Sequence, residues 1–257
     1  MVFLDVGQGD ATLIFSDSGA ILIDAGPPNS GVVDSLQNRG VDRIQHLFLS
    51  HGHLDHYGGW CLTANTLPVD TLWVPPDTNP SDSYKSCLKK LVAQGAYLQE
   101  LRGDTSLVLQ GLQVRVHGPD KRTLQSGNES SLVMTFWRKG VLGNVVFTGD
   151  AGIKELDALA WSEPLRTHGV LKVPHHGSKY SAAKIFMGTL MPSMAVVSAS
   201  ATNRYGHPSP EMLDLLYTVL PDSSALWVTS QCSSAVLFWD HTGLYPLNHC
   251  QQVKQKD

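Results

Sequence analysis

Short apolar runs separated by glycine-rich turns open the chain and predict an antiparallel meander of three strands. The runs are Val2–Val6, Ala11–Phe15 and Ala20–Asp24, and the turn Gly7–Asp10 separates the first two. Similar runs predict further strands, which are Gln45–Leu49, Asp70–Val74, Ala96–Leu101, Ser106–Leu109, Leu112–His117, Ser131–Trp137, Val145–Thr148, Val170–Val173 and Ala195–Ser198. The chain is therefore rich in short strands.

Between these strands, apolar residues three and four positions apart predict helices. They are Gly31–Asn38, Asp82–Gln94, Ile153–Trp161, Ser181–Leu190 and a helix that opens with Ser209-Pro210-Glu211. A last pair of strands, Ala225–Thr229 with Ala235–Trp239, predicts a closing hairpin. A meander followed by alternating strands and helices, in an order that recurs in the second half, predicts two sheets face to face with helices outside. We expect one α/β (α+β) domain over residues 1–250 and a polar tail at 251–257.

Composition is that of an ordinary globular domain, since 42% of the 257 residues are hydrophobic and 16% are charged. No apolar run approaches the roughly 18 residues that a membrane helix needs, and no basic-then-apolar signal segment is present. Met1–Leu4 runs straight into a strand. This abrupt start favours a domain cut from a longer protein.

The distribution of charge is more informative than its sum. The net charge of −4 gives no overall attraction to nucleic acid. Residues 164–210 nevertheless contain no acidic residue, and their basic residues are Arg166, Lys172, Lys179, Lys184 and Arg204. A site lined by this segment would favour an anionic substrate.

The four cysteines are widely spaced, at Cys61, Cys87, Cys232 and Cys250. They could form two disulfides or remain four thiols, and the spacing does not decide between these states. The interpretation favoured here is that they are small buried hydrophobic residues.

A cluster of histidines follows the apolar run Leu47–Leu49 and is the main chemical signal. His51 and His53 are two positions apart, so on an extended segment they face the same way. Residues Ser50–Tyr57 are predicted to form one turn, and Asp55 and His56 come after it bends, which directs a second pair of ligands into the same volume. Borderline metals such as Zn²⁺ take these ligand types, and two such ions can clamp a hydrolytic water.

Further ligands are expected at the ends of other strands. Asp150 follows the apolar strand Val145–Thr148 in a tight turn, where a carboxylate can bridge two cations or can be a plain turn residue. Asp24 follows another apolar run and is a candidate for the carboxylate behind the metal ligands.

A second strand that ends in histidines is followed by groups suited to a substrate. Neighbouring residues on a strand point in opposite directions, so at most one of His175 and His176 is expected to be a direct ligand. The other can contact substrate. Ser178 leads into a predicted helix, whose free N–H groups would suit a phosphate. His207 lies in a turn, as either a substrate contact or a structural residue.

These residues resemble a known family. His51–His56, together with Thr148–Asp150 and a downstream strand-end histidine, resembles the metallo-β-lactamase superfamily over essentially the whole chain. The resemblance implies a four-layer αββα sandwich with a dinuclear site at the edge between the sheets. It also implies these ligands for the two ions, namely His51 and His53 on one, Asp55, His56 and His176 on the other, Asp150 bridging, and His175 beside them.

Narrower matches resemble the C-terminal domain of ComEC-type competence proteins. They are Phe3–Asp10, Asn128–Leu132, Leu171–Ser178 and Tyr205–Pro208. That resemblance implies a domain of a membrane-embedded DNA-uptake channel, on the extracytoplasmic side of a bacterial membrane, that degrades the strand that is not imported. A stand-alone protein of this sequence would instead be cytoplasmic.

One position departs from the superfamily pattern. Many members have a histidine about twenty residues before the bridging aspartate, where this chain has Gly127–Ser130. Asn128 could supply a carbonyl oxygen there, which is a harder ligand than imidazole and moves the preference from Zn²⁺ towards Mn²⁺.

The leading hypothesis is a metal-dependent phosphodiesterase that acts as a deoxyribonuclease. We expect two divalent ions (Mn²⁺ or Zn²⁺) and no small-molecule cofactor. Single-stranded DNA is the expected substrate in preference to double-stranded DNA. The expected catalytic residues are Asp55, Asp150 and His175. The expected substrate contacts are Ser178, Lys179, His207 and Asn128. The alternatives are a hydrolase of a carboxylic ester, lactone or thioester on the same fold, and a metal-stabilised DNA-guiding module with little catalysis.

Overall fold

Strands with two buried faces organise the molecule, whose computed structural model describes residues 1–62, 66–119, 126–162 and 167–247. Arg166, Cys250 and the predicted tail at 251–257 lie outside these ranges. The strands are β1 (Val2–Phe3), β2 (Thr12–Ser16), β3 (Gly19–Ile23), β4 (Ile44–Phe48), β5 (Val69–Val74), β6 (Tyr97–Glu100), β7 (Asp104–Leu109), β8 (Leu112–His117), β9 (Val133–Arg138), β10 (Asn144–Phe147), β11 (Val170–Lys172), β12 (Met194–Val197), β13 (Leu226–Val228), β14 (Ala235–Trp239) and β15 (Leu244–Pro246).

Alternate residues of the central strands enter two different cores. In β3, Ile21 and Ile23 face a core that also contains Phe48 and Phe136 from the two sheets. Leu22, between them, faces a core built with the helices. Strands buried on both faces are continuously apolar, which is how these runs read in the sequence.

Each of the two sheets combines an antiparallel half with a parallel half. The first has the order β15-β14-β1-β2-β3-β4-β5-β6, and the second has the order β13-β12-β11-β10-β9-β8-β7. Strands β3 to β6 run parallel in the first sheet, and β10 to β13 run parallel in the second. The carboxyl ends of parallel strands are the usual place for a site in such sheets.

The helices pack on the outer faces of the two sheets. They are α1 (Val32–Gln37), α2 (Leu54–Cys61), α3 (Asp82–Ala93), α4 (Ile153–Ser162), α5 (Lys184–Leu190), α6 (Pro210–Val219) and α7 (Thr229–Cys232). Residues of α1, α2 and α3 share a core with the first sheet, and residues of α4, α5 and α6 share one with the second. The predicted four-layer αββα sandwich is confirmed. Among the described residues, no helix combines the length and the apolar character that crossing a bilayer requires.

Three expectations about local structure were wrong. The predicted closing hairpin does not form, because β13 pairs with β12 in the second sheet while β14 pairs with β1 in the first. The helix expected from Ser181 begins at Lys184. The segment after His53 is the helix α2 rather than a bent turn.

A disulfide joins two helices of the first sheet's outer layer. Cys61, the last residue of α2, is bonded to Cys87 of α3 across a sequence separation of 26 residues. The interpretation of these two residues as unbonded hydrophobic side chains was wrong, although both are buried. The bond fastens the helix that follows the histidine cluster.

Removing this bond is expected to lower the free energy of unfolding by about 3 kcal/mol, because a closed loop of this length restricts the unfolded chain. Cys61→Ala, Cys87→Ala and the double variant should each show this loss in urea denaturation. Either single change already breaks the bond, so the double variant should lose little more than a single one. Additive losses, or none, would contradict the expectation.

Candidate metal centre

Four strand ends from the two sheets deliver the polar residues to one place. In the first sheet, Asp24 follows β3 and His51 follows β4. In the second sheet, Asp150 follows β10 and His176 follows β11. All four side chains are buried. The paired sheets thus bring together residues that are far apart in sequence.

The predicted histidine cluster is divided between a strand end and a helix. His51 is fully buried, whereas His53 is exposed and immediately precedes α2. Asp55 and His56 lie in the first turn of this helix. The ring of His51 lies 4.6 Å from that of His53 and 4.2 Å from that of His56. One strand-to-helix junction therefore gathers all four side chains.

Two glycines allow α2 to approach the loop after β3. A Cβ atom on Gly59 would lie 2.1 Å from the carbonyl oxygen of Ala25, and one on Gly58 would lie 2.6 Å from Cδ of Pro28. The amide of Ala25 donates to the carbonyl oxygen of His56 at 2.7 Å. Backbone contacts of this kind exclude larger residues and fix His56 against the loop that carries Asp24.

Two groups of ligand atoms face each other across Asp150. Within each group the possible ligand atoms lie within 4.8 Å of one another, and the groups are His51, His53 and Asp150, and Asp55, His56 and His176. Oδ2 of Asp150 is 3.8 Å from Nε2 of His51, while Oδ1 is 3.3 Å from Nε2 of His56 and 3.8 Å from Nε2 of His176. The carboxylate thus presents one oxygen to each group.

Hydrogen bonds on the Nδ1 side leave three imidazole Nε2 atoms facing inward. Nδ1 of His56 lies 2.9 Å from Oδ2 of Asp24, and Nδ1 of His176 lies 3.0 Å from the carbonyl oxygen of Ser198. Nδ1 of His51 lies 3.1 Å from Oγ of Ser50. Carboxylate and carbonyl oxygens can only accept, so Nδ1 carries the proton in His56 and His176.

The inward-facing atoms lack hydrogen-bond partners, as expected for the ligands of a metal ion. Nε2 of His51, His56 and His176, and Oδ1 of Asp150, are buried and have no hydrogen-bond partner among the described residues. A buried polar atom without a partner costs roughly 1–3 kcal/mol. Imidazole nitrogen and carboxylate oxygen in such a setting fit divalent cations of the Zn²⁺ or Mn²⁺ type.

Asp24 lies behind this cluster and contacts Ser50 and His56. Its Oδ1 accepts from the amide of Ser50 and its Oδ2 from the Ser50 hydroxyl, both at 2.7 Å. Burial raises the pKa of Asp24, and the charge of His56 opposes that rise. One carboxylate therefore orients His56 directly and His51 through Ser50.

A second carboxylate behind the cluster was missed by the sequence reasoning. Oδ2 of Asp10 lies 2.7 Å from Nζ of Lys172, and Oδ1 lies 3.2 Å from Nδ1 of His176. Both Asp10 and Lys172 are buried. The only signal in the sequence was a lysine inside the apolar strand β11, which a buried partner must neutralise.

The pKa values of Asp55, His56 and His176 are shifted because carboxylates and imidazoles lie close together in this cluster. Burial opposes ionisation of Asp55, but its contacts with His176 and His56 lower its pKa to about 2. Burial also opposes a charged His176, yet Asp150 and Asp10 raise its pKa to about 9. His56, between Asp150 and Asp24, likewise has a raised pKa despite burial. The carboxylates thus attract positive charge into the cluster.

The premise that His175 and His176 point in opposite directions along a strand was wrong. β11 ends at Lys172, and the two histidines have left-handed backbone angles, with φ of 50° and 54°. Both therefore reach Asp150, with Nε2 of His175 at 3.6 Å from its Oδ2. The His175 side chain is 25% exposed and that of His176 is 2% exposed, so His175 is the one open to solvent.

The predicted substrate contacts differ in position. Nδ2 of Asn128 lies 3.5 Å from Nδ1 of His175, and its Oδ1 is buried without a partner among the described residues. The ring of His207 lies 5.8 Å from that of His175. Asn128 and His207 thus flank the open histidine.

Ser178, which is predicted to contact an anion at a helix terminus, directly follows the turn of His175 and His176. Ser178 is buried, and its hydroxyl accepts from the amide of Tyr180 at 3.3 Å at the start of a three-residue 3-10 helix. Lys179 is exposed, with Nζ 5.5 Å from the centre of the Tyr180 ring. The structure places Lys179, not Ser178, at the surface.

Comparisons with known proteins agree with this geometry. Residues 4–188 match the model of the metallo-beta-lactamase superfamily. ComE operon protein 3 of Bacillus subtilis (strain 168) is 28% identical over 233 residues, which cover 83% of this chain and 30% of that protein. Competence protein ComA of Neisseria gonorrhoeae is 27% identical over 209 residues, which cover 80% of this chain and 28% of that protein. The chain thus spans less than a third of the length of these relatives.

A solved structure shows the same fold. Tm1679, a metal-dependent hydrolase of the beta-lactamase superfamily, superposes with a TM-score of 0.52 and 15% identity, covering 88% of this chain and 93% of that one. The chain therefore belongs to the metallo-beta-lactamase superfamily and is homologous to the C-terminal region of ComEC-type competence proteins.

Proposed function

We propose that this protein is a metal-dependent phosphodiesterase that hydrolyses DNA, with single strands as its substrate. The observation that carries the proposal is the bridging position of Asp150, whose two oxygens face two separate groups of ligands. Two divalent cations, when bound, supply Lewis-acid stabilisation of a phosphate ester and a more acidic water.

The proposed ligand set follows the two groups of atoms. His51, His53 and Asp150 would hold one cation, and Asp55, His56, His176 and Asp150 would hold the other. Oδ1 of Asn128 is a further candidate for the first cation, because it is buried and has no partner among the described residues. The preceding residue, Gly127, lies against His53 of the same group, since a Cβ on Gly127 would lie 3.1 Å from Nε2 of His53.

The other residues would bind and orient the substrate. His175 is partly exposed beside Asp150, so its ring N–H can donate a hydrogen bond to a phosphate oxygen. His207 and Lys179 would bind neighbouring phosphates, since both lie near the turn that carries His175. The described residues 167–210 contain no acidic residue, so this segment itself adds no negative charge that would repel an anion.

The relatives support DNA as the substrate class. One of them is called a competence protein, and the chain corresponds to less than a third of its length. We infer that this domain belongs to a longer membrane protein that takes up DNA and that it works on the extracytoplasmic side. The Cys61–Cys87 disulfide supports that location, because disulfides persist in oxidising compartments.

Asp150→Asn should lower both metal content and DNA cleavage, by at least roughly 100-fold in rate, because the amide has one oxygen where two are needed. The measurement is digestion of end-labelled single-stranded DNA with Mn²⁺ or Zn²⁺, alongside metal content by mass spectrometry. Asp214→Asn is the matched control, since Asp214 is exposed on α6. Wild-type turnover of a lactone but of no phosphodiester would refute the nuclease proposal.

Asn128→His should raise the affinity for Zn²⁺ relative to Mn²⁺ by roughly tenfold, because imidazole replaces a harder oxygen ligand. Asn128→Leu, which removes the amide without adding a ligand, should instead weaken one of the two positions for both metals. Competition between the two metals, followed by metal content, checks both outcomes. Equal affinity ratios in wild type and both variants would exclude Asn128 as a ligand.

A further inference from the structure

A loop beside the open histidine presents an exposed aromatic residue. The loop packs against the turn that carries His175 and His176, since the amide of Ser209 donates to the carbonyl oxygen of Gly177 at 2.9 Å. His207 connects the two, with its ring 5.8 Å from that of His175 on one side and 5.7 Å from that of Tyr205 on the other. Tyr205 is therefore two ring-to-ring steps from the histidine beside Asp150.

Tyr205 forms a planar, positively charged surface with its neighbour. Tyr205 is 56% exposed, and its ring lies nearly parallel to that of His207, at an interplanar angle of 24°. Cζ of Arg204 lies 4.9 Å from the ring centre, and Nη2 donates to the Tyr205 hydroxyl at 2.8 Å. Aromatic rings and guanidinium planes are the surfaces on which unpaired bases stack.

The loop is held in place although its aromatic residue packs against no core. The Asn203 side chain donates to the carbonyl oxygens of Ser200 and His207, at 2.8 and 2.6 Å. Its Oδ1 accepts from the amides of Tyr205 and His207, at 3.2 and 2.9 Å. One asparagine therefore orders the whole loop, so Tyr205 is presented at a low entropic cost to a ligand.

A second pair of the same composition follows the histidine turn. Tyr180 is 72% exposed, and Nζ of Lys179 lies 5.5 Å from its ring centre. The carbonyl oxygen of Tyr180 lies 3.9 Å from the place that a Cβ on Gly152 would take, two residues after Asp150. Both aromatic–cation pairs thus lie next to the segments that carry the proposed site.

We propose that Arg204–Tyr205 and Lys179–Tyr180 form a binding track for single-stranded DNA, in which bases stack on the tyrosines and phosphates pair with the cations. The inference rests on the proposed function and adds the residues that recognise the strand. Stacking requires exposed base faces, which a duplex hides, so the track selects single strands. The described part of 167–210 contains Lys179 and Arg204 and no acidic residue, so the net charge of this segment attracts phosphates.

Binding of a fluorescent thymidine oligomer and of an abasic oligomer of equal length tests the track, with Asp150→Asn as the common background to prevent cleavage. The starting protein should prefer the thymidine oligomer. Tyr205→Leu, which keeps apolar volume but removes the ring, should weaken thymidine binding by roughly 5- to 100-fold and abasic binding far less. Tyr205→Phe should restore the preference. Arg204→Gln should weaken both oligomers and reduce the salt dependence of binding.

Tyr97→Ala is the matched control, because Tyr97 is an exposed tyrosine at the start of β6, and it should leave both affinities unchanged. Equal weakening of both oligomers by Tyr205→Leu, or no weakening, would overturn the track. Binding by Tyr180→Leu tests the second pair in the same way. A failure of the nuclease proposal would be a separate result, because it is judged from DNA cleavage by the wild-type protein and not from base-dependent binding.

Discussion

The convergence of buried carboxylates on inward-facing imidazole nitrogens is the constraint on which the rest of the structure depends. Asp150 lies within 3.3 to 3.8 Å of Nε2 atoms that no described protein group satisfies. Such an arrangement costs stability unless positive charge enters it. Two sheets are needed to build it, because Asp150 and His176 arrive from the second sheet and the other ligand candidates from the first. The sandwich supplies the rigid edge at which the strand ends meet.

The layer behind the ligands determines which atom each imidazole presents. Asp24 and the carbonyl oxygen of Ser198 hold Nδ1 protons, so Nε2 points inward in His56 and His176. The backbone angles of Asp24, His175 and His176 add strain, since all three are left-handed with φ between 50° and 55°. Left-handed backbone in residues other than glycine costs of order 1–3 kcal/mol at each position. The same backbone conformation also occurs away from the site, for example at Asn29, Gln110 and Met191.

Local sequence patterns predicted the layers of the fold and the residues of the site that follow strands. His51, Asp150 and Asp24 could be found because each comes directly after an apolar run. The pairing of β13 and β14 could not, because their partners lie far away in sequence and only the complete sheets select them. The turn at His175 and His176 was misjudged because its left-handed backbone is set by packing. The role of Asp10 could not be predicted, because its partner Lys172 lies far away in sequence and in the other sheet.

Lys172 places a fixed positive charge directly behind the candidate metal ligands. Its ammonium group is covalently part of β11 and cannot diffuse away, so Asp10 keeps a counterion whether or not a metal is present. Asp10 and Ser198 then keep the His176 ring in one orientation at all times. The orientation of the His176 ring is therefore set by the protein itself. Lys172 is thus a fixed positive charge beside the ligand atoms of Asp55, His56 and His176.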